Sequence, residues 1–377
     1  MFDNDRVDAV DILDGHSRAT LRRIAGEPVV LLVQDTTFLS DIRDLQGRGV
    51  GTLRLTKRAE YLLHPSVAFS ENRVNLGVLG HHFWQRPAER AGRRRAVCPL
   101  EEKESYRWLL GYDMACALQA LNPNTLVVNV ADREGDIYEW FLAGEFDERV
   151  PDRAAYLIRA KCNRRVAQSA NRSLWDTLAQ APVLGQTRIS ITQRPGRRAR
   201  VATLNVRSRT VTFHRTRRQG RPATSVTVTA VYAQESQPPA GETALEWMLL
   251  TNLPVDHFAA AQRLIGWYQA RWEELYFRIL KQGCRIEDLR LETAKRLERC
   301  IAVYLIVAWR LHYLTQIARA SHRAVYPGIQ SDGMADDLCV AEEASAPEAT
   351  AVPADDGANV SPVGWLPGTY SHGQLFP

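Results

Sequence analysis

Hydrophobic and polar positions recur with two different periods along this chain, and the changes of period divide it. Residues 28–40, PVVLLVQDTTFLS, are an unbroken β-branched and leucine run, the pattern of a strand buried on both faces. Two further extended segments, 59–69 (AEYLLHPSVAF) and 73–83 (RVNLGVLGHHF), are joined by a polar turn and predict a hairpin. Residues 101–121, EEKESYRWLLGYDMACALQAL, open with acids and repeat apolar positions at three and four, which predicts a helix. A second buried strand follows over 125–131, ends at Asp132 and gives way to a helix start. Strand, hairpin, helix and strand in that order predict a mixed α/β core.

Between 154 and 234 the period shortens. Alternating segments (AAYLIRAK, TRISITQ, ARVATLNVRS, VTFHRT, SVTVTAVYA) are separated by Pro, Gly and Arg turns, which predicts a small antiparallel β subdomain. Core-like composition returns in ALEWMLLTNLPV at 244–255, and helical spacing runs from about 257 to 282 and again from about 292 to 320. From 324 onward no periodicity remains, and the Ala-, Asp-, Glu- and Pro-rich tail reads as disordered.

Composition adds two constraints. Of the 377 residues 45% are apolar and 24% charged, values of a globular chain. The longest apolar run, about Ile301 to Trp309, is far short of the roughly 20 residues a membrane span requires. The first residues lack the basic and apolar regions of a secretory signal. Six scattered cysteines without a CxxC pair point to reduced thiols in a cytoplasmic protein. Residues 324–377 hold eight of the 43 acids and none of the 48 basic residues, so the formal +5 is a +13 body joined to an acidic tail. Within the body, 177–234 carries eleven Arg and no acid, the footprint of a polyanion binder or a solvated Arg-rich β surface.

Three acids stand out by context. Asp35 follows one apolar strand, Asp132 follows another, and Glu274 lies on the predicted helix YQARWEELYFRILKQGCRIE. Neighbouring strand-end carboxylates repel unless a cation sits between them. Hard divalent ions such as Mg²⁺ take oxygen ligands and accept phosphate as a partner. Two strand-end Asp and a helix Glu would suit two such ions on a phosphodiester. The plainer reading of Asp132 is a helix N-cap, and of Glu274 a surface helix acid. Adjacent His81 and His82, near Trp84, point to opposite faces of a strand and make a poor metal pair. Ser105 reads as a helix-start residue rather than a nucleophile.

Taken together, VQDTT around Asp35, EEKESYRW at 101–108, ADREGDIYEWF around Asp132, EWMLLTNLPV at 246–255 and the stretch from Tyr268 to Glu287 resemble a known family. It is that of the DDE-type bacterial insertion-sequence transposases of the insertion-sequence-four superfamily, and the likeness spans roughly residues 25–320. The resemblance implies an α/β fold, a ribonuclease-H-like core interrupted by a β-rich insertion subdomain. It divides the chain into 1–27, a remnant of an N-terminal region; 28–150, the first part of the core; 151–245, the basic insertion; 246–323, the second part of the core; and 324–377, the tail. It further implies cut-and-paste DNA transposition by two-metal phosphoryl transfer. Asp35, Asp132 and Glu274 would bind Mg²⁺, with Mn²⁺ as substitute. Tyr268, Arg271 and Lys281 would contact DNA phosphates, and Trp247 would stack on an extruded base; the plainer readings are a solvated helix face for Lys281 and a buried strand aromatic for Trp247. The partners implied are double-stranded transposon ends and target, with a homodimer forming on DNA.

The chain departs from the family pattern at three points. Only about 27 residues precede the first catalytic strand, where the family has a helical DNA-end-binding region. Two residues rather than three separate Arg271 from Glu274, while the six-residue gap to Lys281 is kept. Losing one helical position rotates Glu274 and Lys281 by roughly 100° relative to Tyr268 and Arg271 unless a tightened turn absorbs it. The acidic tail replaces further helices and reads as a segment out of frame with an ancestral coding sequence. The alternative expectation is therefore a catalytically inactive remnant that binds DNA or interferes with transposition.

Overall fold

The computed structural model describes residues 6–39, 61–85, 100–145, 153–167, 173–191, 199–215, 223–269, 272–289 and 293–325, with a few single positions besides. Within these ranges the side chains of 85, 272–274, 287 and 319–325 lie outside the description. The fold is a mixed α/β arrangement built on one ten-stranded sheet.

Strand β1 (Val29–Gln34) is buried at every position, as its unbroken apolar run requires. It lies between β3 (Tyr61–Ser70), antiparallel to it, and β5 (Leu126–Ala131), parallel to it. Beyond β3 comes antiparallel β4 (Asn75–Gln85), and beyond β5 comes parallel β6 (Ala155–Arg159). The short β2 (Thr37–Leu39) pairs with the start of β3 in the register that β1 uses, since Gln34 faces Ser66 and Thr37 faces Leu63. Thus β1 and β2 are one strand line interrupted at Asp35 and Thr36. Opposite Asp35 in this register is Pro65, which has no N–H to give the ladder.

Residues 183–251 extend the same sheet. Strands β7 (Val183–Ile191), β8 (Arg200–Arg215), β9 (Thr224–Glu235) and β10 (Glu246–Thr251) are all antiparallel, and β10 returns to pair with β6. The segments read separately at 199–208 and 211–216 are one 16-residue strand, β8. The antiparallel segment is thus hydrogen-bonded into the central sheet through β10.

Helices cover both faces. One apolar layer joins Leu31, Val33 and Val130 to α5 (Phe258–Gln269), α6 (Trp272–Arg278) and α7 (Ala294–Val325). The other joins Val30, Leu32 and Val127 to α2 (Tyr106–Leu121), α3 (Tyr138–Ala143) and α4 (Leu174–Ala179). A helix not expected from the sequence, α1 (Ala9–Ile24), sits against β4 and α7. Its Asp8 and Asp11 form a reciprocal capping box, and Asp11 Oδ2 accepts from Asp8 N at 2.7 Å. Within α7, residues 294–318 are long and apolar enough for a membrane span by length and composition alone. Leu297, Ile301, Leu305 and Ala308 of that window are buried in the sheet's first layer, while Val307, Leu311, Leu314 and Ile317 are exposed.

The adjacent histidines of β4 do face opposite sides. His82 lies 5.2 Å from the Trp84 ring, while His81 is buried toward α7 with Nε2 at 3.8 Å from the Glu298 carboxylate. Burial, and less so the charge of His82, holds the His81 pKa down at about 4. An unfolded chain titrates this group near 6.5, so it takes up the proton first as pH falls, and stability is lost between about 6.5 and 4. His81→Gln should therefore lose less of its urea midpoint across that window than the unaltered protein. Equal losses in the two proteins would rule His81 out as a source of acid sensitivity.

Candidate functional site

Parallel strands β1 and β5 are in register, with Val33 beside Val130. Two residues further along each strand stand Asp35 and Asp132, so both acids leave the sheet at neighbouring carboxyl ends. In open α/β sheets such ends form the usual crevice for ligands. Strand alternation puts Asp35 on the face of Val33 and Asp132 on the face of Val130, the layer that α5 and α6 cover. Asp132 keeps an extended backbone, φ −78° and ψ −164°, before the chain turns into a 3₁₀ turn at Arg133–Gly135. Both carboxylates are half-buried.

Each carboxylate is held by a nearby backbone amide. Thr36 N donates to Asp35 Oδ1 at 2.8 Å, and Glu134 N donates to Asp132 Oδ1 at 2.8 Å. The second bond is the N-cap role that the sequence left open for Asp132.

The flanking residues enter a buried hydrogen-bond chain with one consistent direction. Arg107 Nε donates to Thr36 Oγ1 at 2.9 Å, and Thr36 Oγ1 lies 3.0 Å from His64 Nδ1. His64 Nε2 lies 2.9 Å from Gln34 Oε1. Gln34 Nε2 then donates to Asn129 Oδ1 at 2.6 Å, and Asn129 Nδ2 donates to the Leu32 carbonyl at 2.9 Å. Gln34 Oε1 can only accept, so a neutral His64 carries its proton on Nε2 and takes the Thr36 hydroxyl hydrogen on Nδ1. A neutral imidazole suits this chain. Burial first, then the charges of Arg107 and His82, hold the His64 pKa well below the usual range. The guanidinium of Arg107 also donates to Glu134 Oε2 at 2.7 Å and lies over the rings of Trp84 and Trp108, 5.3 and 5.6 Å from their centroids.

Asp136, in the same ADREGD motif, has a different role. Its side chain is 0% exposed and pairs with Arg164, while Oδ2 accepts from Lys161 N and Cys162 N, each at 2.7 Å. It ties the turn after β5 to the turn after β6.

The remaining expected residues are only partly brought together. Tyr268 lies on α5, beside the same apolar layer. Lys281 lies in a π turn, Ile279–Gly283, closed by Cys284 N donating to Ile279 O at 2.8 Å. Glu274 belongs to α6 by its backbone, but its side chain lies outside the described residues, as does Arg271 altogether. Of the helical region expected over 257–282, Phe258–Gln269 and Trp272–Arg278 are α-helical, and 270–271 lie outside the described residues. The π turn lies after Glu274, whereas the step from Arg271 to Glu274, where a tightened turn was expected, is only partly within the described residues. Trp247 is 7% exposed on β10 and packs edge-on against Tyr268, with ring centroids 5.6 Å apart. A base can stack on it only if that pair opens. Among the described residues no group of three His, Cys, Asp or Glu could hold a metal ion.

The Arg-rich stretch divides in two. Three of its described arginines face protein partners. Arg200 pairs with Glu235 and Glu242, Arg215 with Glu139, and Arg207 donates to the Ala181 carbonyl. Arg188 and Arg209 are exposed. The other six (194, 197, 198, 217, 218 and 221) lie outside the described residues, in the connections on either side of β8.

Sequence reasoning did not single out Gln34, Thr36, His64, Arg107, Asn129 or Glu134. One signal was available. Gln34, His64 and Asn129 interrupt apolar strands, and a buried amide or imidazole without a partner is costly enough to imply a network. Set against models of known protein families, the chain matches none.

Proposed function

We propose that this chain is a DDE-type insertion-sequence transposase of the insertion-sequence-four superfamily, cutting and joining DNA by metal-dependent phosphoryl transfer. The observation that carries this reading is the parallel register that brings Asp35 and Asp132 to neighbouring strand ends, on the face covered by the helices bearing Tyr268 and Glu274. Antiparallel β4, β3 and β1 followed by parallel β5 and β6 support a ribonuclease-H-like core, and β7–β9 agree with a β-rich insertion.

Asp35 and Asp132 offer oxygen donors alone, which fits Mg²⁺ or Mn²⁺ better than a softer ion. These two and Glu274 would hold it. Held by these residues, such an ion would supply a more acidic water and charge neutralisation at the phosphodiester. The chain itself sets the two carboxylates at neighbouring strand ends, bonds each to a backbone amide, and holds Gln34 and Thr36 in a hydrogen-bond chain. Tyr268, Arg271 and Lys281 would meet the phosphates of transposon ends and target, and Trp247 a displaced base. A homodimer on DNA, in a nucleoid-associated cytoplasmic setting, belongs to the same reading.

A second reading, a DNA-binding remnant without cleavage, has the one-residue shortening between Arg271 and Glu274 and the π turn at Ile279–Gly283 in its favour. One experiment separates the two. Mg²⁺- or Mn²⁺-dependent nicking of DNA carrying the element's own ends should fall at least 10³-fold, roughly the loss of an essential electrostatic group, in Asp132→Ala. Salt-sensitive DNA binding without nicking, unchanged in Asp132→Ala, would establish the remnant instead.

A further inference from the structure

We infer that Arg107 is a positioning residue that sets the two carboxylates, Asp35 and Asp132, relative to each other. The inference rests on the reading that these acids bind a divalent cation. One guanidinium reaches both holders of the pair. Arg107 Nε donates to the hydroxyl of Thr36, whose own N–H donates to Asp35 Oδ1. Its other arm donates to the carboxylate of Glu134, whose own N–H donates to Asp132 Oδ1. The two paths have the same construction: a guanidinium N–H grips a side chain, and that residue's backbone amide grips the acid.

The guanidinium is itself enclosed and bonded on several sides. The Arg107 side chain is 7% exposed, its guanidinium lies over the Trp84 and Trp108 rings, and Nη1 donates to the Glu104 carbonyl just before α2. The planar guanidinium holds its N–H groups at fixed angles, which lysine or a neutral amide cannot reproduce. Thr36 is fixed from its other side by His64 on β3, and β1 is tied to β5 through Gln34 and Asn129. The strand line of β1 and β2 is broken at Asp35 and Thr36, opposite Pro65, so ladder bonds do not fix this point and side chains must. Groups that orient metal ligands from behind typically change metal affinity by 10–100-fold.

The sign of the effect separates positioning from electrostatics. Removing a positive charge near a cation site tightens binding if charge alone matters. Mn²⁺ titration of the full chain, followed by isothermal calorimetry, should instead show Arg107→Gln binding about tenfold more weakly. Tighter or unchanged binding overturns the inference. If Arg107→Gln does not fold, Thr36→Val takes its place, since it removes the hydroxyl and changes no charge. It should weaken Mn²⁺ binding by a similar factor, and Thr36→Ser should restore it. Normal affinity in Thr36→Val overturns the inference. Asp35→Ala distinguishes this from failure of the site reading. If the unaltered chain binds no Mn²⁺, or if Asp35→Ala binds as tightly, both are overturned. If Asp35→Ala loses binding while the Arg107 and Thr36 variants keep it, only the positioning role falls.

Discussion

Asp136→Ala should destabilise the fold by about 3–5 kcal/mol, the usual cost of removing one partner from a buried ion pair. The carboxylate is completely buried and has three partners: the Arg164 guanidinium and the amides of Lys161 and Cys162. Its loss leaves two amides without their acceptor. It also leaves a guanidinium held over Phe141 and Phe213, 5.2 and 5.6 Å from their centroids, with its charge uncompensated. A fold of this size has only about 5–15 kcal/mol to lose, so much of the variant should be insoluble or unfolded at 37 °C. Urea denaturation at neutral pH checks this, and a loss below about 1 kcal/mol would mean that water replaces the carboxylate. The same reasoning assigns Asp136 a structural role, although it shares a motif with Asp132.

Gly111→Ala should destabilise as well, against the ordinary helix preference. Alanine in a helix interior is better than glycine by about 1 kcal/mol. Here, however, a Cβ would stand closer than 3.0 Å to three atoms of the Gln34 side chain. Gln34 cannot swing aside freely, because it is 1% exposed and bonded to His64 and Asn129. Overpacking costs about 1–3 kcal/mol, and each buried polar group left unpaired costs about 1–3 more. The geometric penalty therefore exceeds the propensity gain, with a net loss of roughly 2–4 kcal/mol. Thermal melting of Gly111→Ala beside Gly15→Ala tests this, because Gly15 in α1 has nothing within 4 Å of an added Cβ. The first should melt lower and the second no lower than the unaltered chain. A stabilised Gly111→Ala would mean that α2 shifts away from β1.

The strands that carry the acids were legible because burial on both faces demands an unbroken apolar run. β1 shows one as far as Gln34 and β5 shows one broken only at Asn129, and Asp35 and Asp132 follow their ends. The hairpin β3–β4 and the helix α2 were legible for the same reason, each having one period over ten residues or more. Helix α1 was missed because its acids and arginines dilute the apolar face: Asp11, Asp14, Arg18, Arg22 and Arg23 leave only Ala9, Leu13, Thr20 and Ile24 buried. The joining of 199–208 and 211–216 into β8 was hidden because exposed Arg209 and Thr210 read as a turn, whereas β9 pairs with both.

For the candidate site, the residue sequence by itself determined which carboxylates end buried strands, since the chain can solvate a charge only where the apolar run stops. It also determined that an amide or imidazole within such a run needs a partner. Only the tertiary structure decided who that partner is. Thr36, His64, Arg107 and Glu134 come from β1's end, β3, α2 and the turn after β5, and no local period relates them. Their contacts depend on strand register and on how α2 lies across the sheet. A one-residue slip in register would turn every side chain of a strand to the other face. Asp132 and Asp136 were alike as sequence, and their roles diverged through burial alone. One stands half-exposed at a strand end, and the other is enclosed with an arginine and two amides.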